Sequence, residues 1–226
     1  MKQLTSTDGP VVLSRVSGLC GELVLRRVGA DFEIIGNGTF LMDTRNGESE
    51  RLLVHAAAEA MPAGSPMVIG GLGVGFSLRA ALDHPRIGEV VVVERESAVV
   101  EWNRGPLREV HGDALADDRV VCVGADLLDW LAERPRRAFG AICLDIDNGP
   151  EWTVSDGNSL LYGETGLNLI AGNLAPGGVL AVWSAAVNPA FEARLAARFG
   201  GASTIEIPVP RGEPDAVFLA THPRNP

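Results

Sequence analysis

The hydrophobic rhythm of this chain changes near residue 50. Before it, residues 21–28, 31–36 and 39–42 form short segments rich in Val, Ile, Leu and Phe, separated by Gly29-Ala30 and Asn37-Gly38. Asn-Gly between two short strands is a strong hairpin signal, because both turn positions need positive φ. Residues 1–47 are therefore expected to form a small subdomain of antiparallel strands. From residue 48 to 226 helical and strand patterns alternate, and this stretch reads as a second, larger domain. Residues 50–61 place Leu52, Leu53, Ala56, Ala57 and Ala60 on one helical face. Apolar runs at 66–69, 89–93, 119–123, 141–144 and 179–183 read as strands. Residues 76–82, 97–103, 127–133 and 165–174 read as helices. Asn188-Pro189 supplies an N-cap and a Pro at the first position of a last helix, which Gly200 would close. Segments 204–209 and 216–221 have no helix between them, so they should pair antiparallel.

Strands joined by helices of about ten residues mean crossover units and a mostly parallel sheet. The expected fold class is α/β: a seven-stranded Rossmann-like sheet with helices on both faces and an antiparallel last strand pair. In such sheets ligands bind at the carboxyl ends of the strands, near the switch point. The first strand ends in Gly70-Gly71-Leu72-Gly73-Val74-Gly75. A glycine turn into a helix lets a ligand approach the backbone and offers free N–H groups. The dinucleotide spacing Gly-x-Gly-x-x-Gly fails, because its third glycine falls on Phe76, and this argues against an NAD-dependent dehydrogenase.

The next strand ends at Glu94, where a carboxylate can accept hydrogen bonds from ribose hydroxyls or can simply face solvent. The third ends in Gly124-Ala125-Asp126; Asp126 suits either a helix cap or an acceptor for an adenine amino group. The fourth ends in Asp145-Ile146-Asp147. Two carboxylates so close at a strand-end rim favour a bound cation or amine over a solvated turn. A long loop follows over 147–163, carrying Trp152, Ser155, Asp156, Asn158 and Tyr162, and loops of this length often serve as lids or binding loops.

Composition narrows the partners. The net charge is −10, from 19 Lys and Arg against 29 Asp and Glu, which disfavours nucleic acid and anionic membranes. The uncharged stretch 165–191 is interrupted by Asn, Pro and Gly, so no membrane span is expected. Three cysteines and no apolar run after Lys2 suggest a reducing, cytoplasmic location without a signal peptide. The four histidines have no metal-ligand spacing, and no metal is expected.

With these residues in place, the chain resembles the spermidine synthase family, on the class I S-adenosylmethionine (SAM) methyltransferase fold. The resemblance rests on Leu53-Val54-His55, the glycine turn, Glu94, Ala125-Asp126, the Asp145 region, Leu161-Tyr162 and Pro176-Gly177-Gly178-Val179-Leu180. It implies that Gly71, Leu72, Gly73 and Gly75 line the amino-acid part of the nucleoside. It implies further that Glu94 and Arg95 lie at the ribose, Asp126 and Leu127 at the adenine, and Asp145 beside the nucleophilic amine. Trp152 and Tyr162 would join Asp145 and Asp147 around the substrate. The chain departs from the family in the turn, where Gly73 replaces an Asp that holds the donor's amine. It departs again in the spacing of Asp145-x-Asp147, which has no following Pro, and at Ser49, where the family has a Tyr.

These departures rank a transferase using SAM itself first, acting on a small amine acceptor, with methyl transfer the simplest case. Asp145, with Asp147, would orient the amine and take its proton. Aminopropyl transfer from decarboxylated SAM is the second reading, with Asp147 replacing the lost carboxylate. A SAM cyclase or lyase, or a SAM-binding protein without turnover, completes the set. The exposed edges of the N-terminal strands, and the resemblance, imply a homodimer.

Overall fold

The computed structural model describes residues 9–133, 138–153, 156–209 and 212–224. Its N-terminal sheet has four antiparallel strands in sequential order: β1 (Val11–Gly18), β2 (Gly21–Val28), β3 (Asp31–Gly36) and β4 (Thr39–Asp43). The predicted hairpin turn forms at Asn37-Gly38, with φ of 50° and 78°. The Asn37 side chain also pins the neighbouring turn. Its Oδ1 accepts from Glu22 N at 2.9 Å and its Nδ2 donates to Cys20 O at 2.8 Å. Strand β1 was not expected from the pattern, and the structure shows why. It is an edge strand with no buried residue, and Val11, Val12 and Leu13 all face solvent. A strand without a buried face carries no period-two signal.

The larger sheet follows through α1 (Glu48–Ala60), β5 (Met67–Gly70), α2 (Phe76–Asp83), β6 (Val90–Val93), α3 (Ser97–Arg104), α4 (Arg108–His111) and β7 (Val120–Val123). It continues with α5 (Leu127–Ala132), β8 (Phe139–Leu144), α6 (Ser159–Tyr162), α7 (Glu164–Asn173), β9 (Leu174–Ser184), α8 (Pro189–Arg198), β10 (Phe199–Ile207) and β11 (Asp215–Pro223). The strand order is β10-β11-β9-β8-β5-β6-β7. Strands β5 to β9 pair parallel, while β11 pairs antiparallel with both β9 and β10. The α/β class, the seven strands and the antiparallel final pair stand as expected.

Alternation along the strands divides the core. Met67 and Ile69 of β5 face a cluster with Leu53 of α1, Leu78 of α2 and Val99 of α3. Val68 faces the opposite cluster, with Leu131 of α5, Leu167 of α7 and Phe191 of α8. Leu25, Phe32 and Ile34 of the small sheet join the first cluster, so that sheet packs on the α1 side. The expected cap at Gly200 is corrected. Helix α8 ends at Arg198, Phe199 N bonds to Leu195 O, and Gly200 already lies in β10. Buried Phe199 is part of the core, so the chain turns directly into the strand. The Asn188 cap forms as predicted, accepting from Phe191 N at 2.9 Å.

Candidate active site

The order of strands puts the switch point at β5, which lies between β6 and β8. The glycine turn leaves β5 at that point. Gly71, Gly73 and Gly75 all have positive φ, at 89°, 52° and 90°. A Cβ on Gly71 would lie 2.2 Å from the Asp145 carbonyl oxygen, so the turn can pass the end of β8 only as glycine. Asn103 Nδ2 donates to Gly73 O at 2.8 Å and holds the turn from below.

A cavity of about 390 Å³ opens above these strand ends, within the size range of small-molecule sites. Of the residues singled out in the sequence, Gly71, Gly73, Glu94, Arg95, Asp126, Leu127, Asp145, Asp147 and Trp152 line it. Leu72, Gly75 and Tyr162 do not belong to that lining. Leu72 is buried in the core, and Gly75 caps α2 against His111. The small sheet also contributes, through Leu23, Ile34 and Met42.

Glu94 is 8 % exposed, so the reading as a solvated surface carboxylate is removed. Its Oε2 accepts from Leu72 N at 3.0 Å and its Oε1 from Glu96 N at 2.8 Å. Burial pushes its carboxyl up from the ordinary range, against the pull of these backbone donors. Of the two roles open to Asp126, the helix cap is formed. Its Oδ1 caps α5 by accepting from Leu128 N at 2.9 Å, and its Oδ2 lies 3.7 Å from Arg95 Nη1 on the cavity wall. Arg95 reaches Asn158 Oδ1 at 3.3 Å and Cys20 Sγ at 3.1 Å, so it straps the β1–β2 turn and the long loop together at this end.

The other end is acidic. Asp145 Oδ2 accepts from Ser77 Oγ at 2.7 Å, from the first turn of α2. Facing it is Glu50 of α1, a cavity residue that the sequence pattern did not single out. Glu50 Oε2 accepts from Ser49 Oγ at 2.9 Å, and its carbonyl oxygen lies 3.4 Å from the same Ser77 hydroxyl. Burial first, and the negative Asp145 second, raise Glu50 to about 7. Burial raises Asp145 to about 6, opposed by the Ser77 hydrogen bond. Among the described residues neither carboxylate forms a salt bridge with Lys, Arg or His. Two half-buried acids that line one cavity without a cation favour a bound proton or a bound ammonium group.

Asp147 is differently placed. It is 4 % exposed; Oδ1 accepts from Asn158 Nδ2 and Oδ2 from Tyr162 OH, each at 2.8 Å. Its carboxylate thus ties down the loop that follows β8. Tyr162, expected at the substrate, is 1 % exposed and packs edge-on against Phe191 with ring centroids 5.8 Å apart. Trp152 is 64 % exposed at the rim. Ser155 lies outside the described residues. No group of three or more His, Cys, Asp or Glu able to hold a metal ion occurs among the described residues. No helix among them is long and apolar enough to cross a membrane.

The strand order, with its glycine turn at the switch point and its antiparallel β11, defines a class I methyltransferase-like fold. Human methyltransferase-like protein 13, solved with SAH, is similar at a TM-score of 0.57 and 20 % identity, over 76 % of this chain and 79 % of that one. The likeness to spermidine synthases extends over the small sheet as well. The Thermotoga maritima enzyme superposes with a TM-score of 0.76 over 93 % of this chain and 72 % of that one, at 16 % identity. A spermidine synthase solved with the transition-state analogue AdoDATO gives 0.78 over 93 % and 73 %, at 17 % identity.

In sequence, the polyamine aminopropyltransferase of Mycobacterium tuberculosis is 33 % identical over 177 residues, 76 % of this chain and 32 % of that protein. The one from Aeropyrum pernix is 28 % identical over 165 residues, 69 % of this chain and 51 % of that protein. No protein-family model matches. The chain is spermidine synthase-like in sequence and fold. It spans about a third of the length of the mycobacterial relative it matches.

Proposed function

We propose that the chain is an aminopropyltransferase, joining the aminopropyl group of decarboxylated SAM to a small amine acceptor. The observation that carries this reading is the acidic end of the cavity, where Glu50 and Asp145 face each other without a basic partner. That end suits ammonium groups and opposes the carboxylate that intact SAM retains. The names of the sequence relatives and the analogue-bound neighbour support the same choice.

The donor supplies a sulfonium whose carbon–sulfur bond breaks as the acceptor nitrogen forms its bond to that carbon, leaving a neutral thioether. The protein's part is to bind, align and move a proton. Gly71 and Gly73 bring backbone to the donor, Glu94 accepts from ribose hydroxyls, and Asp126 Oδ2 accepts from the adenine amino group, with Leu127 and Arg95 closing that end. Asp145 orients the acceptor nitrogen and takes its proton, a role suited to a carboxyl raised to about 6. Asp147, through Asn158 and Tyr162, holds the loop that carries Trp152 over the rim. The assay is incubation with decarboxylated SAM and putrescine or another diamine, read by mass spectrometry. Methylthioadenosine together with an aminopropylated amine supports the reading; intact donor after prolonged incubation with a panel of diamines refutes it.

Methyl transfer from SAM ranks second. Gly73, with no side chain to repel a donor carboxylate, is the observation in its favour. SAM cyclisation, lysis or binding without turnover would appear in the same assay as a changed or unchanged SAM peak without a methylated acceptor. A homodimer is proposed through the small sheet, supported by the apolar edge strand with Val11, Val12 and Leu13 exposed. Light scattering at twice 23.8 kDa is expected, and the single-chain mass would refute it. A cytoplasmic location is proposed on the three free cysteines.

A further inference from the structure

Glu50 belongs to the α1 helix, far in sequence from every other group at the strand ends. Its place in the cavity follows from packing between two helix starts. A Cβ on buried Gly47, the N-cap of α1, would lie 2.3 Å from the Phe76 ring at the start of α2, so the two helices meet there with no room to spare. The Ser77 hydroxyl lies 2.7 Å from Asp145 and 3.4 Å from the Glu50 carbonyl. Glu50 is therefore held beside the start of α2, and it lines the cavity together with Gly73 and Asp145. The nearest basic neighbour in sequence, Arg51, turns away and lies over the Phe76 ring, 4.6 Å from its centroid. A ligand with a carboxylate beside Glu50 and Asp145 meets two acids; a ligand with only an ammonium group there meets two partners.

We infer that Glu50 selects the donor: its carboxylate, beside Asp145 at the glycine-turn end of the cavity, holds the ammonium group of a donor without a carboxylate and repels one that keeps it. This rests on the aminopropyltransferase reading and assigns its donor specificity to a residue of α1. Glu50 is a specificity residue and takes no part in bond making.

The test is calorimetric titration of the full chain and its Glu50→Gln and Glu50→Asp variants with three probes: decarboxylated SAM, SAM and methylthioadenosine. The wild type is expected to prefer decarboxylated SAM. Glu50→Gln should shrink that preference at least tenfold, Glu50→Asp should keep most of it, and methylthioadenosine, which lacks both charged groups, should bind all three proteins alike. An equal loss for all three probes in Glu50→Gln would make Glu50 structural and overturn the inference. An unchanged ratio of the two donors in Glu50→Gln, with aminopropyl transfer intact in the wild type, would overturn the inference alone. A wild type that binds neither donor would overturn both the inference and the function it rests on. Thermal melting of each variant confirms that folded proteins are being compared.

Discussion

Replacing Glu50 with Gln is expected to stabilise the ligand-free protein at pH 8 and to leave it nearly unchanged at pH 4. The folded chain holds the Glu50 carboxyl at about 7 in place of its usual 4.5, first because it is buried and second because Asp145 faces it. Between those values the folded state keeps a proton that the unfolded chain has released. Stability therefore falls as the pH rises through that window. Each tenfold in proton affinity is worth ~1.4 kcal/mol, so an ionised Glu50 costs the folded state ~3 kcal/mol at pH 8. Asp145 and Asp215 remain in the variant, so the difference between the two proteins reports Glu50 together with its interaction with these acids. Gln matches the shape and its amide oxygen can still accept from Ser49 Oγ, now 2.9 Å from Oε2. The assay is urea unfolding of both proteins from pH 4 to pH 8. The curves should coincide near pH 4 and separate by about 3 kcal/mol at pH 8. Parallel curves across the range would refute the argument that Glu50 is held half-buried against a second acid. A site kept at such a cost is explained by a ligand whose ammonium group replaces the proton, as the proposed donor does.

Three further outcomes follow from the same geometry. Asp145→Asn should lower turnover at least ~100-fold while methylthioadenosine binding persists, because general-base assistance is lost and the nucleoside end is untouched; retained turnover would reassign the proton acceptor. Tyr162→Phe should destabilise the fold by roughly 1–3 kcal/mol in chemical denaturation, because Asp147 Oδ2 loses the hydroxyl 2.8 Å away inside the protein; a change under ~0.5 kcal/mol would show that water replaces it. Gly71→Ala should fail to fold or lose the cavity, since its Cβ would lie 2.2 Å from the Asp145 carbonyl at a φ of 89°; a near-native melting temperature would contradict the close approach of β5 and β8.

Local signals in the chain were sufficient for most elements. Asn37-Gly38 marked its hairpin because the turn needs two positive φ values, and Asn188-Pro189 marked a helix start because the cap geometry is local. The valine run of β6 announced a strand buried on both faces, which it is. Strand ends were legible for the same reason. Glu94, Asp126 and Asp145 each follow an apolar strand within a few residues, and the sheet order carries them to one rim.

What the sequence determined, then, was every feature that depends on neighbours a few residues apart: strand, turn, cap, and the acids just beyond the strands. What tertiary structure alone decided was the use of those acids. Asp147 became an anchor because Tyr162 and Asn158 fold back onto it, and Asp126 became a cap with one oxygen left toward the cavity. Glu50 looked like an ordinary charge in the first turn of a helix until α1 packed its start against α2 and faced it toward Asp145. The physical reason is range. Propensity, turn strain and capping act over a few residues of chain, whereas desolvation and the field of a facing carboxylate exist only once the sheet, the small strands and both helix starts have closed around the site.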